Sequence, residues 1–169
     1  MRDERPLKPS VLDKLLAPLG RVKGDGTRDV LPCHIAAVDN FGERDLKAVM
    51  IRDIAWIIND INFGTAVPLE DCPEIATSVL NQGVGDLTSL RVAKASLESR
   101  ARDITAALRA FEPRLVAETV RVTFDTSDVD NENKVRFTIF GELKGAIDER
   151  YVELKTAVAL DSGEVEVTA

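Results

Sequence analysis

The sequence predicts an α+β fold in which helices come first and a small antiparallel sheet of about four strands follows. Apolar residues recur at the spacing of a helix face as far as Phe111. After Pro113 they alternate with polar residues, as on a strand with one buried face. A separate amphipathic run near the start predicts an N-terminal helical arm. We therefore divide the chain into an arm with its linker at 1–44 and an α+β domain at 45–169.

The composition indicates a globular protein and argues against several classes of function. The chain has 169 residues, which is enough for one domain with a substantial core. Its net charge of −7 disfavours binding to nucleic acid or to an anionic membrane, because both need a basic surface. No apolar stretch approaches the roughly 18 residues that span a bilayer, and the N-terminus lacks the apolar segment of a secretory signal. We therefore expect a cytoplasmic protein.

The stretch "PSVLDKLLAPLG" predicts the helix of the arm. Ser10 caps it, and Asp13 completes a capping-box arrangement. Gly20 ends it. Its apolar stripe comprises Val11, Leu12, Leu15, Leu16 and Leu19. The glycines and charges of the following residues, 21–44, indicate a linker.

Two longer helices are predicted for the domain. The first lies in "DLKAVMIRDIAWIINDINF", with Asp45 as its N-cap. Its apolar face comprises Leu46, Met50, Ile54, Ile57, Ile58 and Ile61. Trp56 lies off that face, and it either packs in a second layer or awaits a partner. The second long helix, "SLESRARDITAALRAF", ends at Phe111. Between the two, a short helix is predicted with Pro73 in its first turn and Gly83 as its C-terminal cap.

Alternation predicts the strands. One strand has an apolar face that comprises Val135, Phe137 and Ile139. Phe140 lies on the opposite face, where it belongs to a second layer or is exposed to a partner. The last strand, in "SGEVEVTA", alternates Val165 and Val167 with glutamates at an edge of the sheet. Such an edge either accepts a strand from another chain, or its charges prevent that pairing.

The sequence offers little catalytic or metal-binding chemistry. His34 is the only histidine, and together with Cys33 it supplies too few ligands for a zinc site, so we expect no metal and no cofactor. Cys33 and Cys72 lie far apart and indicate free thiols. Glu112 is a candidate general acid, although spacing singles out no second carboxylate for glycoside hydrolysis. A muramidase-like peptidoglycan hydrolase that uses Glu112 is therefore the alternative function.

The joint between the last helix and the first strand has the sequence "FEPRL". Pro113 cannot continue the helix and sets the direction in which the strand leaves. Glu112 and Arg114 then stand at a fixed corner. They either present opposite charges to a partner at low entropic cost or satisfy only the backbone of their own chain.

Four motifs, in this order, resemble the TssE family of type VI secretion baseplate subunits, which includes the wedge proteins of contractile phage tails. They are "PSVLDKLL", "IRDIAWIIND", "SVLNQGVGDLTS" and "FEPRL", the last of which contains the Glu-Pro-Arg signature of the family at Glu112, Pro113 and Arg114. The motifs and the order of the elements cover most of residues 10–167. The resemblance implies a structural, non-enzymatic subunit and leaves open which contractile machine it serves.

The resemblance also implies a heteromeric assembly with two contacts. The corner at 112–114, with Leu115 and Trp56, would dock onto larger wedge subunits similar to TssF and TssG. The strands within 134–167, with Val165 and Val167 on the last one, would pair with sheath proteins similar to TssB and TssC and so template the first sheath ring. The complex would be cytoplasmic and docked at the inner membrane. A generic adaptor domain is a third interpretation.

Overall fold

In the described part of the chain, four α-helices precede a four-stranded antiparallel sheet, which confirms the predicted α+β fold. The computed structural model describes residues 8–16, 41–87, 93–126, 134–144, 151–159 and 163–168. The helices are α1 (Val11–Leu16), α2 (Glu43–Asn59), α3 (Pro73–Ala76) and α4 (Lys94–Phe111). Short 3₁₀ turns occur at Phe63–Thr65, Val79–Asn81 and Ala117–Thr119. The strands are β1 (Arg121–Asp125), β2 (Lys134–Glu142), β3 (Tyr151–Ala159) and β4 (Val165–Thr168).

The sheet is a meander in which each strand pairs with the next one in the sequence. Its register places Ile139 of β2 opposite both Val122 of β1 and Leu154 of β3. The predicted alternation on β2 is confirmed, because its apolar face is buried and Phe140 is exposed on the other face. One face of the sheet therefore belongs to the core and the other meets solvent.

Two helices, α2 and α4, cover the buried face of the sheet. Helix α2 packs against β4, and α4 packs against β1. The buried residues of α2 include Leu46, Met50, Ile54, Ile57 and Ile58, and those of α4 include Leu97, Ala101, Ile104 and Leu108. The prediction was wrong for Ile61, which is exposed because α2 ends at Asn59 and Ile61 forms an isolated bridge with Val84.

The predicted caps need two corrections. Helix α2 begins at Glu43 with Gly42 as N-cap, and the Asp45 carboxylate instead accepts the Gly42 amide at 3.1 Å from inside the first turn. The short helix with Pro73 at its start ends already at Ala76, and a separate 3₁₀ turn follows it. Gly83 lies beyond that turn with φ of 121°, and a Cβ atom there would lie 2.5 Å from the Asp60 carbonyl oxygen. Only glycine fits this position without strain.

The helix of the arm is present as α1, with the predicted capping box. The Ser10 amide donates to Asp13 Oδ2 at 2.9 Å, and the Asp13 amide donates to Ser10 Oγ at 3.1 Å. Of the predicted apolar stripe, Val11, Leu12 and Leu15 are exposed, while Asp13 is buried. The side chain of Leu16 lies outside the described part. Leu19, Gly20 and the linker up to residue 40, with Cys33 and His34, lie outside the described residues. The boundary between arm and domain at 44–45 stays a prediction.

Candidate functional site

Backbone hydrogen bonds stabilise the corner at 112–114, between α4 and the sheet. Helix α4 closes with the Glu112 amide donating to the Leu108 carbonyl at 3.0 Å, and Pro113 follows with its ring exposed. The chain then turns, and the Leu115 amide donates to the Glu112 carbonyl at 3.2 Å. Leu115 is buried and forms a bridge with Leu143, just beyond β2. Pro113 therefore ends the helix as predicted, and the corner has a fixed geometry.

Glu112 is engaged by Arg114 on both carboxylate oxygens. Oε1 of Glu112 accepts the Arg114 amide at 3.0 Å and Arg114 Nε at 2.7 Å. Oε2 accepts Arg114 Nη2 at 2.6 Å. Because Glu112 is only 2% exposed and both oxygens are bonded, its carboxyl is not placed to protonate a substrate. The muramidase alternative has no support in this geometry.

Arg114 connects the corner to α2 and, through α2, to the arm. Its Nη2 also donates to Asp53 Oδ2 at 2.6 Å. Oδ1 of Asp53 accepts Arg52 Nε at 2.7 Å. Arg52 Nη2 reaches Asp13 Oδ1 of α1 at 2.8 Å, and the side chains of both are at least nine-tenths buried. We call these five residues (Asp13, Arg52, Asp53, Glu112 and Arg114) the corner cluster; its alternating charges join three helices.

The charges of the corner cluster stabilise one another. Burial is the largest single influence on Asp13 and opposes its charge, but hydrogen bonds from Ser10 and Arg52 together outweigh it and lower the pKa of Asp13 below the ordinary 3.8. Burial also disfavours the charged form of Arg114. Its hydrogen bonds and ion pairs with Glu112 and Asp53 outweigh that effect and raise the pKa of Arg114.

Arg52 has one contact of a different kind. Its guanidinium carbon lies 5.0 Å from the centroid of the Trp56 ring, which is a cation–π geometry. Its Nη1 atom is buried without a hydrogen-bond partner among the described residues. The Trp56 ring therefore lies against the positive charge of Arg52.

A cleft of about 520 Å³ lies beside the corner cluster. Its apolar lining comprises Leu12, Phe41, Leu46, Trp56, Ile57, Phe111 and Pro113. Its polar lining includes Asp53 and Arg114. Trp56 is 50% exposed, and the Arg114 side chain keeps 24% of its surface accessible. The cleft thus combines an exposed aromatic ring, an exposed proline and the edge of a fixed guanidinium.

The structure brings together most of the residues that the sequence predicts for partner binding. The cleft is lined by four of them: Glu112, Pro113, Arg114 and Trp56. Leu115 lies under the corner with its side chain in the core. Sequence patterns did not single out Arg52 and Asp53 for this site, although charged residues within the apolar segment of a helix indicate charges that need partners. They also predicted only a capping role for Asp13.

Val165 and Val167 lie apart from the cleft, on the outer strand β4. The side chain of Val165 is buried, and its amide and carbonyl are both bonded, on the outer edge of β4, by the Asn59 side chain of α2. Asn59 Nδ2 donates to the Val165 carbonyl at 2.9 Å, and the Val165 amide donates to Asn59 Oδ1 at 2.9 Å. Since alternate residues of an edge strand direct their backbone groups outwards, Val167 faces the same edge as Val165. No described residue bonds the outward groups of Val167.

Two classes of site are not found in the described residues. None of their helices combines the length and apolar character needed to cross a membrane. Within the same ranges, no three His, Cys, Asp or Glu side chains converge as metal ligands would. Cys72 is a free, exposed thiol.

The comparison with known families covers this corner and its surroundings. A family model described as "Baseplate wedge protein gp25" matches residues 44–146, which is more than half of the chain. The match includes α2, α4, the Glu-Pro-Arg corner and the first two strands. No curated protein matches the chain. The chain therefore belongs to the baseplate wedge protein gp25 family, the family of TssE, whose members are structural proteins of baseplates.

Proposed function

We propose that this protein is a structural baseplate subunit of a contractile injection machine, either a type VI secretion system or a phage-tail-like particle. It docks onto larger wedge subunits through the cleft at the corner and offers the edge of its sheet to sheath proteins. The family match carries the baseplate role. The fixed corner beside an exposed tryptophan supports the docking contact. The assembly is heteromeric, lies in the cytoplasm and docks at the inner membrane.

In this proposal the members of the corner have different tasks. Glu112 is a positioning residue, because it is buried and holds Arg114 by three hydrogen bonds. Trp56, Pro113 and the accessible edge of Arg114 meet the partner. Tryptophan and arginine are the residue types that most often dominate binding energy in interfaces. Since Arg114 is already fixed, little of its side-chain entropy is lost on binding. The partners at the cleft are wedge subunits similar to TssF and TssG.

The second contact is strand pairing with sheath proteins similar to TssB and TssC. Strand addition relies on main-chain hydrogen bonds at an exposed edge. On β4, Asn59 already occupies the backbone of Val165. The pairing therefore begins at Val167, whose amide and carbonyl face outwards. The exposed side chains of Glu164 and Glu166 flank this edge and restrict pairing to strands that tolerate acidic neighbours.

The docking contact is tested with Trp56→Ala. We expect the variant to bind the purified wedge subunits at least about tenfold more weakly, as for a hot-spot aromatic residue. Phe140→Ala is the matched control, because Phe140 is an exposed aromatic residue on the far face of the sheet. Titration calorimetry gives the affinities, and thermal melting shows whether each variant is folded. Equal affinities of the two folded variants would contradict the assignment of the cleft.

A further inference from the structure

Between α2 and α4, residues 61–84 form a long loop, which we call the excursion. Backbone hydrogen bonds join its two ends, which we call its neck. The Asn62 amide donates to the Val84 carbonyl at 3.0 Å, and the Val84 amide donates to the Asp60 carbonyl at 2.9 Å. Gly83 permits this approach, because any side chain there would collide with the Asp60 backbone. The excursion thus leaves the body and returns at the same point, as an Ω-loop does.

Polar side chains, rather than a core, hold the excursion in shape. Asn62 Oδ1 accepts the Thr65 amide at 2.9 Å. Asn81 Oδ1 accepts the Gly64 amide at 2.7 Å, and Asn81 Nδ2 donates to the Ala76 carbonyl at 3.0 Å. These asparagines tie the two 3₁₀ turns and α3 together. The excursion is therefore held together largely by hydrogen bonds, although Leu69 and Ile75 are partly buried in it.

Several other apolar side chains of the excursion are exposed to solvent. Val79 is 80% exposed and Leu80 is 71% exposed, and Phe63 and Val67 are also exposed. We call these four residues the apolar patch. Scattered exposed apolar residues are ordinary, but several on one compact, internally bonded loop are typical of a surface that another protein covers. The patch shares no residue with the corner cluster.

The charged residues of the excursion and its neck all have one sign. The acidic residues of this stretch are Asp60, Glu70, Asp71 and Glu74, all of them exposed. Residues 60–84 contain no lysine, arginine or histidine. None of the four acids forms an ion pair with another described residue. We call these four acids the acidic rim. From outside the excursion, Arg100 lines a cleft with Gly64 and Asn81, but it is paired with Asp103. An apolar surface on a segment that contributes only acidic charges is complementary to an apolar segment flanked by lysine or arginine.

We propose that the excursion is a docking surface for a second protein that presents apolar side chains flanked by basic ones. The apolar patch covers the apolar side chains of the partner, and Glu70, Asp71 and Glu74 face its lysines and arginines. A symmetric pair of copies of this chain is disfavoured as the occupant, because the acidic rim of one copy would meet the identical rim of the other. This contact is separate from the cleft at the corner and from the edge of β4.

The test uses the full chain labelled with ¹⁵N and two helical peptides of equal length with the same leucine face. One peptide carries lysines beside the leucines, and the other carries glutamates. We expect the lysine peptide to shift the amide signals of residues 61–84 and the glutamate peptide to leave them unchanged. Val79→Ser with Leu80→Ser should weaken binding of the lysine peptide about tenfold. Val11→Ser with Leu15→Ser, on the exposed face of α1, is the matched control and should bind like the unaltered protein.

Charge reversal separates a docking surface from general attraction to a protein of net charge −7. Replacing Glu70, Asp71 and Glu74 together by lysine should transfer the preference to the glutamate peptide, because the apolar patch is retained and the rim then carries three lysines and one acid, Asp60. Three outcomes would overturn the proposal: equal binding of both peptides, signal shifts outside residues 61–84, or unchanged affinity after serine replacement of Val79 and Leu80. Loss of wedge binding by Trp56→Ala bears only on the corner, so the two proposals fail independently.

Discussion

At the scale of single residues, the contact between Glu112 and Arg114 explains the unusual succession of an acid, a proline and a base. Pro113 stops α4, and the side chains on either side of it pair with each other across the turn. Arg114 then uses the same nitrogen to reach Asp53 on α2. A guanidinium suits this position, since its planar fork can serve two carboxylates at once while a lysine ammonium cannot do so with the same geometry.

Replacing Arg114 should destabilise the fold. Arg114→Ala leaves the buried Glu112 carboxylate without a counter-ion, and we expect a loss of about 3 kcal/mol in the free energy of unfolding. The midpoint of thermal unfolding should fall by roughly 6–12 °C. Urea denaturation measures the loss. Arg102→Ala, at an exposed position on α4, is the control and should stay within about 0.5 kcal/mol of the unaltered protein. Equal stability of the two variants would show that Glu112 does not need Arg114.

At the scale of secondary-structure elements, β4 is both an edge strand and the contact of the sheet with α2. The Asn59 side chain forms with the amide and the carbonyl of Val165 the two hydrogen bonds that a neighbouring strand would form. This side chain closes half of the β4 edge and leaves the half at Val167 open. An edge that is partly closed resists uncontrolled pairing with other chains while keeping a short segment available.

Proline at Val167 should block pairing with the sheath. Val167→Pro removes an outward amide donor and breaks no hydrogen bond to β3. We expect this variant to bind wedge subunits normally, and we expect baseplates that contain it to assemble no sheath. Electron microscopy of reconstituted particles measures sheath assembly. Val167→Ala keeps the amide and should assemble a sheath. If Val167→Pro also assembles a sheath, the pairing edge lies elsewhere. Val165→Pro is a poorer test, because it would also disrupt the contact with Asn59.

At the scale of the whole molecule, the corner cluster connects α1 of the arm to the domain. Among the described side chains of α1, Val11 and Leu15 are exposed, Leu12 borders the cleft and Asp13 is buried. The ion pair between Asp13 and Arg52 is therefore a principal contact of α1 with the domain. Attachment of the arm should consequently depend on charge, and hence on pH.

Acid should release the arm. The pKa of Asp13 is lowered in the folded protein, so its contribution to stability is present above the ordinary value of 3.8 and is lost as the pH falls through the lower folded value. Trp56 is the only tryptophan and borders the same cleft, so its fluorescence reports the change. We expect a transition below about pH 3.8 in the unaltered protein. Asp13→Asn should show the released signal already at neutral pH. If the unaltered protein and Asp13→Asn gave the same curve of Trp56 fluorescence against pH, this role of Asp13 would be contradicted.

The sequence by itself determined the order of the elements, the two long helices, the alternation of β2 and the end of α4 at the proline. These features depend on residues close together in the chain, through helical or strand periodicity and local capping. The tertiary structure alone decided which distant groups meet. Asp13 and Arg52 are 39 positions apart, Asp53 and Arg114 are 61 apart, and Asn59 and Val165 are 106 apart. Such pairs depend on how the elements pack, and periodicity sets which face is buried without setting which side chain lies opposite.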